Sequence, residues 1–252
     1  MSLFNSNTMF GKMKADEIPP EILAQREHLT MRNYMRDVIL GSNDGLVSIF
    51  ALVLGVAGSG FIARDIFLAG LAGTIAGAIS MAIGEYLSTK SQEQVFDSEK
   101  ELELLHIRHD FESEKQELYD IYASKGFTGD LLERIVDHLV SNEDVMLEEM
   151  MTEEFGVLED ERRTPWIAAM LSGTSFTVGS LPSFLPFLFV ATVLSGLLIS
   201  GVLSLLSLFI VGAMKGYITK FNIYKLGLEN LLLGALGGIV TYSIGALVGG
   251  TV

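Results

Sequence analysis

The feature that most constrains this chain is the stretch from Gly70 to Tyr122, where an apolar span passes into an acidic helix without interruption. GLAGTIAGAISMAIGEYL has the apolarity of a membrane-crossing segment. After Gly84, no glycine or proline intervenes through STKSQEQVFDSEKELELLHIRHDFESEKQELYDIY. The pattern predicts one helix that leaves a bilayer and continues in water to about Tyr122. On its polar part Glu99, Glu103, His106, Asp110, Glu114 and Glu117 recur at steps of three and four, placing all six within about 80° of arc. Ser80, Met81 and Glu85 stand in the apolar part, where hydrocarbon is expected.

The rest of the chain fits a helix of that kind. With 49% hydrophobic residues and a mean hydropathy of +0.42, the 252 residues are too apolar for an ordinary soluble domain. Five segments are long enough to cross about 30 Å of hydrocarbon: 38–60, 65–89, 165–188, 190–213 and 227–249. The expected fold class is therefore an all-α membrane protein of five transmembrane helices with an acidic helical insert after the second. Residues 1–37 form a leader and amphipathic helix, 38–89 the first two spans, 90–164 the insert and 165–252 the last three spans. Placing the leader, the insert and the 214–226 loop on one side gathers 16 of the 17 lysines and arginines there, leaving only Arg64 opposite. That bias puts the N-terminus and insert in the cytosol and the C-terminus outside. The leader lacks a signal-peptide core. Pro182 and Pro186 mark the third span as the one most open to an early break.

The insert carries 22 acidic and 8 basic residues, and its net −14 is the formal charge of the whole chain. Such a field concentrates cations and repels nucleic acid. A break at Gly126–Gly129 separates its first helix from TGDLLERIVDHLVSN and NEDVMLEEMMTEEFG, with Thr128 and Asn142 as expected N-caps. Leu104, Ile107, Phe111, Leu118 and Tyr122 form an apolar stripe beside the acidic one, which predicts packed helices with carboxylates at their seam.

A run of acids is most often a solvated face. Here, like charges three and four residues apart destabilise a bare helix by about a few tenths of a kcal/mol per pair, so a stripe of them favours bound cations. Glu103-x-x-His106 is also the spacing that aims a carboxylate and an imidazole at one metal in helical bundles. Without cysteine, ligands are limited to carboxylate, imidazole, thioether, hydroxyl and carbonyl groups. The third insert helix adds Glu149, Met150, Met151, Glu153 and Glu154; thioethers there favour a softer ion such as Fe(II), while core packing is an equal account of the two methionines.

Ionisable groups inside a membrane are costly and usually functional. Asp44 lies about 9 Å into span one at 1.5 Å per residue, and Met81 at similar depth in span two, so the two are candidates to share one ion. Asn43 and Ser80 are neighbouring oxygen donors, and Glu85 sits one turn nearer the cytosol. Gly73, Gly77 and Gly84 suit close helix packing. No GxxxxGK[ST] phosphate loop and no nucleophile constellation is present.

RDVILGSNDGLVSIFALVLGVAGSG followed by AGAISMAIGEYLSTKSQ resembles the vacuolar iron transporter family, with its DGL and SMA-x-GEY-x-S motifs. The order of parts agrees from about residue 36 onward. The resemblance implies a dimeric Fe(II) and Mn(II) transporter that exchanges metal for protons and moves it out of the cytosol. By motif it assigns a membrane metal pair to Asp44 and Met81. In the insert it assigns metal-binding carboxylates to Glu103, Glu114, Glu117 and Glu154, with Met150 and Met151 beside them. His106 departs from the family pattern, standing where many members have a further glutamate, and brings a group that titrates near neutrality.

The sequence reading is thus a multi-pass secondary transporter, not an enzyme, with no tightly bound cofactor and Fe(II) or Mn(II) as cargo. Its other expected partners are protons, membrane lipid and a second copy of the chain, and no nucleic acid. A plasma membrane suits a prokaryotic source and a vacuolar-type membrane a eukaryotic one. A membrane-anchored di-iron ferroxidase and a metal sensor are the alternatives.

Overall fold

The computed structural model describes residues 20–154 and 163–249, with side chains from residue 34 onward. The leader before Pro20 lies outside the described residues. Those described form helices joined by short turns: α1 (Pro20–Gly58), α2 (Ala63–His109), α3 (Phe111–Ser124), α4 (Asp130–Leu139), α5 (Glu143–Glu153), α6 (Pro165–Phe184), α7 (Pro186–Phe189), α8 (Val193–Thr219) and α9 (Ile223–Gly249). They divide into two compact units. Of the described residues, one takes 20–30, 88–154 and 163; the other takes 31–87 and 164–249.

α1, which belongs to the second unit from residue 31 onward, joins the amphipathic segment expected before residue 38 and the first span in a single 39-residue helix with Pro20 at its start. Proline is tolerated there because the first N–H of a helix has no intrahelical partner. α1, α2, α8 and α9 are long and apolar enough to cross a membrane. At 47 residues α2 is about 70 Å long, roughly twice the hydrocarbon thickness, so only its apolar first half serves as a span.

α6 falls short of that apolarity because serine, threonine and glycine fill it, although its bounds follow the expected third span. Its helix runs through Pro182, ends at Phe184 and resumes after Leu185 as α7. The hydroxyls are spent locally. Thr174 donates to the Met170 carbonyl, Thr177 to Gly173 and Ser180 to Thr177. Others tie α6 to its neighbours, Thr74 donating to Ser180 at 3.0 Å and Ser183 standing 3.1 Å from Ser204. Such bonds hold helices together where water is scarce.

The core of this unit gathers Ile49, Val53 and Ala57 of α1, Ile66 of α2, Phe176 and Phe184 of α6, and Phe187 of α7. Phe67 tilts against Phe184 with ring centroids 5.6 Å apart. Backbones approach closely where α1 crosses α6, as they do where it meets α9 at Gly55 and Gly245. A Cβ on Gly45 would run into the Phe176 carbonyl, and one on Gly179 into the Ser42 carbonyl. Of the glycines expected to pack α2, Gly73 abuts Leu52 and Gly77 the Phe176 ring, whereas Gly84 has nothing within 4 Å.

The other unit departs from expectation at Asp110. The helix expected to run unbroken to Tyr122 stops at His109, and α3 starts at Phe111. Asp110 adopts φ −137°, ψ 48°, outside the helical region. The local charges suit a break: His106, Arg108 and His109 close α2, and Glu112 and Glu114 open α3, each sign complementing the dipole of its helix end. With the break, Ile107 and Leu118 enter one core with Phe96, Leu132, Val136, Met146, Leu147, Met150 and Met151. Leu104 and Tyr122 of the expected stripe pack at its edge, while Phe111 beside the break is turned out, 39% exposed. Gly126 and Gly129, at φ +96° and +62°, make the turn into α4. Gly129 rather than Thr128 is the N-cap of α4, while Asn142 caps α5 as expected, its side chain accepting from the Asp144 N–H at 2.9 Å.

Candidate metal centre

The break at Asp110 decides which acids meet. On a straight helix Glu103 and Glu114 would stand about 16 Å apart along the axis. Instead Glu103 Oε2 and Glu114 Oε1 lie 3.8 and 3.9 Å from the same His106 Nδ1. Glu103 is 2% exposed and Glu114 8%, whereas His106 stays half open to water. The buried Glu103 Oε1 has no hydrogen-bond partner. An orphaned carboxylate oxygen of that kind is costly, and a cation would relieve it.

The electrostatics agree. Burial, with Glu114, Glu154 and Glu117 close by, pushes the Glu103 carboxyl up to about 7. Glu154, just past α5, is raised by burial and by Glu117 and Glu114, with His106 opposing. Glu103, Glu114, Glu117 and Glu154 are thus one electrostatic group drawn from α2, α3 and the end of α5.

Several other insert acids are already matched. Glu143 holds Arg108 at 2.6 Å, Asp137 holds Lys115 at 2.8 Å, and Glu153 pairs with Lys125. Glu149 accepts from the Tyr122 hydroxyl at 2.5 Å. That bond, with burial as the larger cause, holds the Tyr122 hydroxyl above its ordinary range. Met150 and Met151 are buried in the core beside this group, as the packing account of them requires. Among the described residues, no three carboxylates or imidazoles stand close enough to close on one ion. The arrangement is a set of pairs around His106, not a finished cage.

The raised Glu103 carboxyl fixes a sign. Its folded pKa lies above the unfolded value of 4.5, so its contribution to stability is complete below about 4.5 and is lost as pH rises through about 7. Glu103→Gln, neutral at every pH, should therefore stabilise the metal-free chain at pH 8 by about 2 kcal/mol and leave it nearly unchanged at pH 4.5. Hydrogen exchange over residues 96–151 of the full chain, with chelator present, checks this. A gain equal at both pH values would contradict it.

In the other unit, Asp44 lies exposed on α1 and accepts a hydrogen bond from Ser48 at 2.9 Å. Met81 is partly buried against the core, Ser80 is exposed, and Glu85 is half-buried. Asn43 has a buried, unpartnered Oδ1. Asp37, an acid the sequence reading passed over, is 1% exposed, with Arg36 at 3.6 Å. Its position two helical turns before Asp44 was the available signal.

The sequence model of the VIT family matches residues 35–246, which take in both units. The chain belongs to the VIT family. Among relatives, vacuolar iron transporter 1 of Tulipa gesneriana is 31% identical over 87% of this chain and 89% of its own length. Vacuolar iron transporter 2 of Oryza sativa subsp. japonica is 32% identical over 86% and 89%. The vacuolar iron transporter of Plasmodium falciparum is 29% identical over 87% and 84%. The matched region contains Asp37, Asp44, Met81 and Glu85 as well as the whole acid group, so this VIT-family chain is a membrane protein whose candidate residues all lie within the shared part.

Proposed function

We propose that this VIT-family chain carries a divalent transition metal, Fe(II) with Mn(II) as a second cargo, out of the cytosol in exchange for protons. In this reading α6 with α7 is the third of five spans, and the N-terminus and acidic unit are cytosolic. The chain works as a homodimer, in a plasma or vacuolar-type membrane according to its source. Glu103, Glu114, Glu117 and Glu154, with His106, capture the ion, and Met150 and Met151 form an apolar, thioether-bearing wall beside them. Asp44 and Met81 then replace part of its water shell within the membrane, with Glu85 near the entry. Protonation of these carboxylates lowers their affinity and releases the ion.

One observation carries this reading: two buried carboxylates, Glu103 and Glu114, meet at a single imidazole and form one electrostatic group with Glu117 and Glu154, none of the four having a lysine or arginine partner among the described residues, while Glu143, Asp137 and Glu153 have one. Fixed negative charge held together in this way favours a multivalent cation. The names of the relatives supply the metal. The test is flux into sealed proteoliposomes loaded with a pH dye and a metal dye, Fe(II) or Mn(II) being added outside. Metal entry with opposite proton movement is the expected result; binding without entry under either pH gradient would overturn it.

The meeting of Glu103, His106 and Glu114 also suits a di-iron ferroxidase. A burst of oxygen consumption stoichiometric with added Fe(II) would favour that reading, since carriage alone consumes no oxygen. Binding with neither entry nor oxygen uptake would leave a metal sensor.

A further inference from the structure

We propose that the cavity between α1, α8 and α9 is a binding site for one anionic phospholipid. It encloses about 800 Å³, and three cations line it: Arg36 of α1, Lys215 of α8 and Lys220 just past the end of α8. Glu229 is the one acid lining it, so the walls carry a surplus of two positive charges. Arg36 stands 3.6 Å from Asp37; Lys215 and Lys220 have no acidic partner within salt-bridge distance among the described residues. Asn43, whose buried Oδ1 lacks a partner, also lines it and can bond a headgroup or glycerol hydroxyl.

The surplus charge argues against passage of a divalent metal through this cavity and for a phosphate. Apart from Thr219 and Asn230, the other walls are apolar, among them Ile39, Leu40, Leu226 and Leu233. An adjoining groove of about 490 Å³ shares Met35 and Ile218 with the cavity and continues along Phe209, Ile210 and Met214 with no polar lining. A free anion has no use for that groove, whereas an acyl chain fills it. Basic pockets between membrane helices, with cationic heads at the boundary and apolar stems below, recognise anionic headgroups in this way. The inference rests on the membrane character of the chain and not on what it transports.

Native mass spectrometry of the full chain in detergent, with dioleoyl phosphatidylglycerol or dioleoyl phosphatidylcholine added, tests it. One phosphatidylglycerol per chain should survive activation that strips phosphatidylcholine. Lys215→Gln with Lys220→Gln should cut that retention at least about ten-fold, while Lys225→Gln, outside the cavity, leaves it unchanged. Ala213→Trp, which keeps the charges and fills the groove, should also lose the lipid, so that a folding defect in the double variant does not decide the matter. Equal retention of the two lipids, or phosphatidylglycerol retained by both altered chains, would overturn the proposal. So would inorganic phosphate that protects against heat as well as the lipid does, or exclusion of the lipid from a dimer whose second copy covers the cavity.

Discussion

Asp44→Ala should reduce metal entry into proteoliposomes to the level of protein-free vesicles, while the chain still folds and still binds metal at its acidic unit. The argument for a clean effect is structural. Asp44 is exposed, and the hydrogen bond it accepts comes from Ser48, one turn along the same helix. Removing the carboxylate breaks no bond between helices and opens no core cavity, so stability should change by less than about 0.5 kcal/mol. A carboxylate on a membrane helix is nevertheless expensive, which is why such groups mark ion pathways. Flux by metal dye, the melting temperature and calorimetric titration with Mn(II) separate the outcomes. Flux at the wild-type level would remove Asp44 from the pathway, and lost insert binding would show that the two loci are not independent.

The largest effect on folding should come from a single methyl group. Gly45→Ala sets a Cβ against the Phe176 carbonyl, a backbone atom that cannot rotate away, so α1 and α6 must separate. Overpacking costs about 1–3 kcal/mol, and a fixed backbone atom in the way puts this contact at the upper end. Since Gly45 lies among the core residues Ile49 and Phe176, the variant should yield little monodisperse protein or melt about 10 °C lower. Gly84→Ala is the matched control. It meets nothing within 4 Å and should raise helix stability by about 0.5–1 kcal/mol. Equal melting of the two variants would mean that the α1–α6 crossing is looser than described.

Much of this architecture was legible in the sequence because it depends on local chemistry. Apolar run length located the helices of the membrane-type unit, positive-φ glycines made the expected break at Gly126–Gly129, and Asn142 capped its helix. What escaped was tertiary. Nothing between His106 and Glu114 resists helix on propensity alone, so the break at Asp110 appears only once Ile107 and Leu118 are required to share a core. That break also turned Phe111 out of the expected apolar stripe. The charge order, bases then Asp110 then acids, was the one local sign of it. The candidate acids were found by pattern, but their division into matched and unmatched sets depends on which lysine or arginine lies across each seam. The sequence alone places no such partner.

The reversal at Asp110 also bears on when the acid group is assembled. Glu103, His106 and Glu114 lie within a dozen residues of one another, so their meeting needs only a local turn, a contact of the kind that forms early and at small entropic cost. Glu154 follows forty residues later, after α4 and α5 have packed. During synthesis the growing chain therefore brings Glu103, His106 and Glu114 together before Glu154 can join them, and the group forms in two stages separated by the folding of two helices.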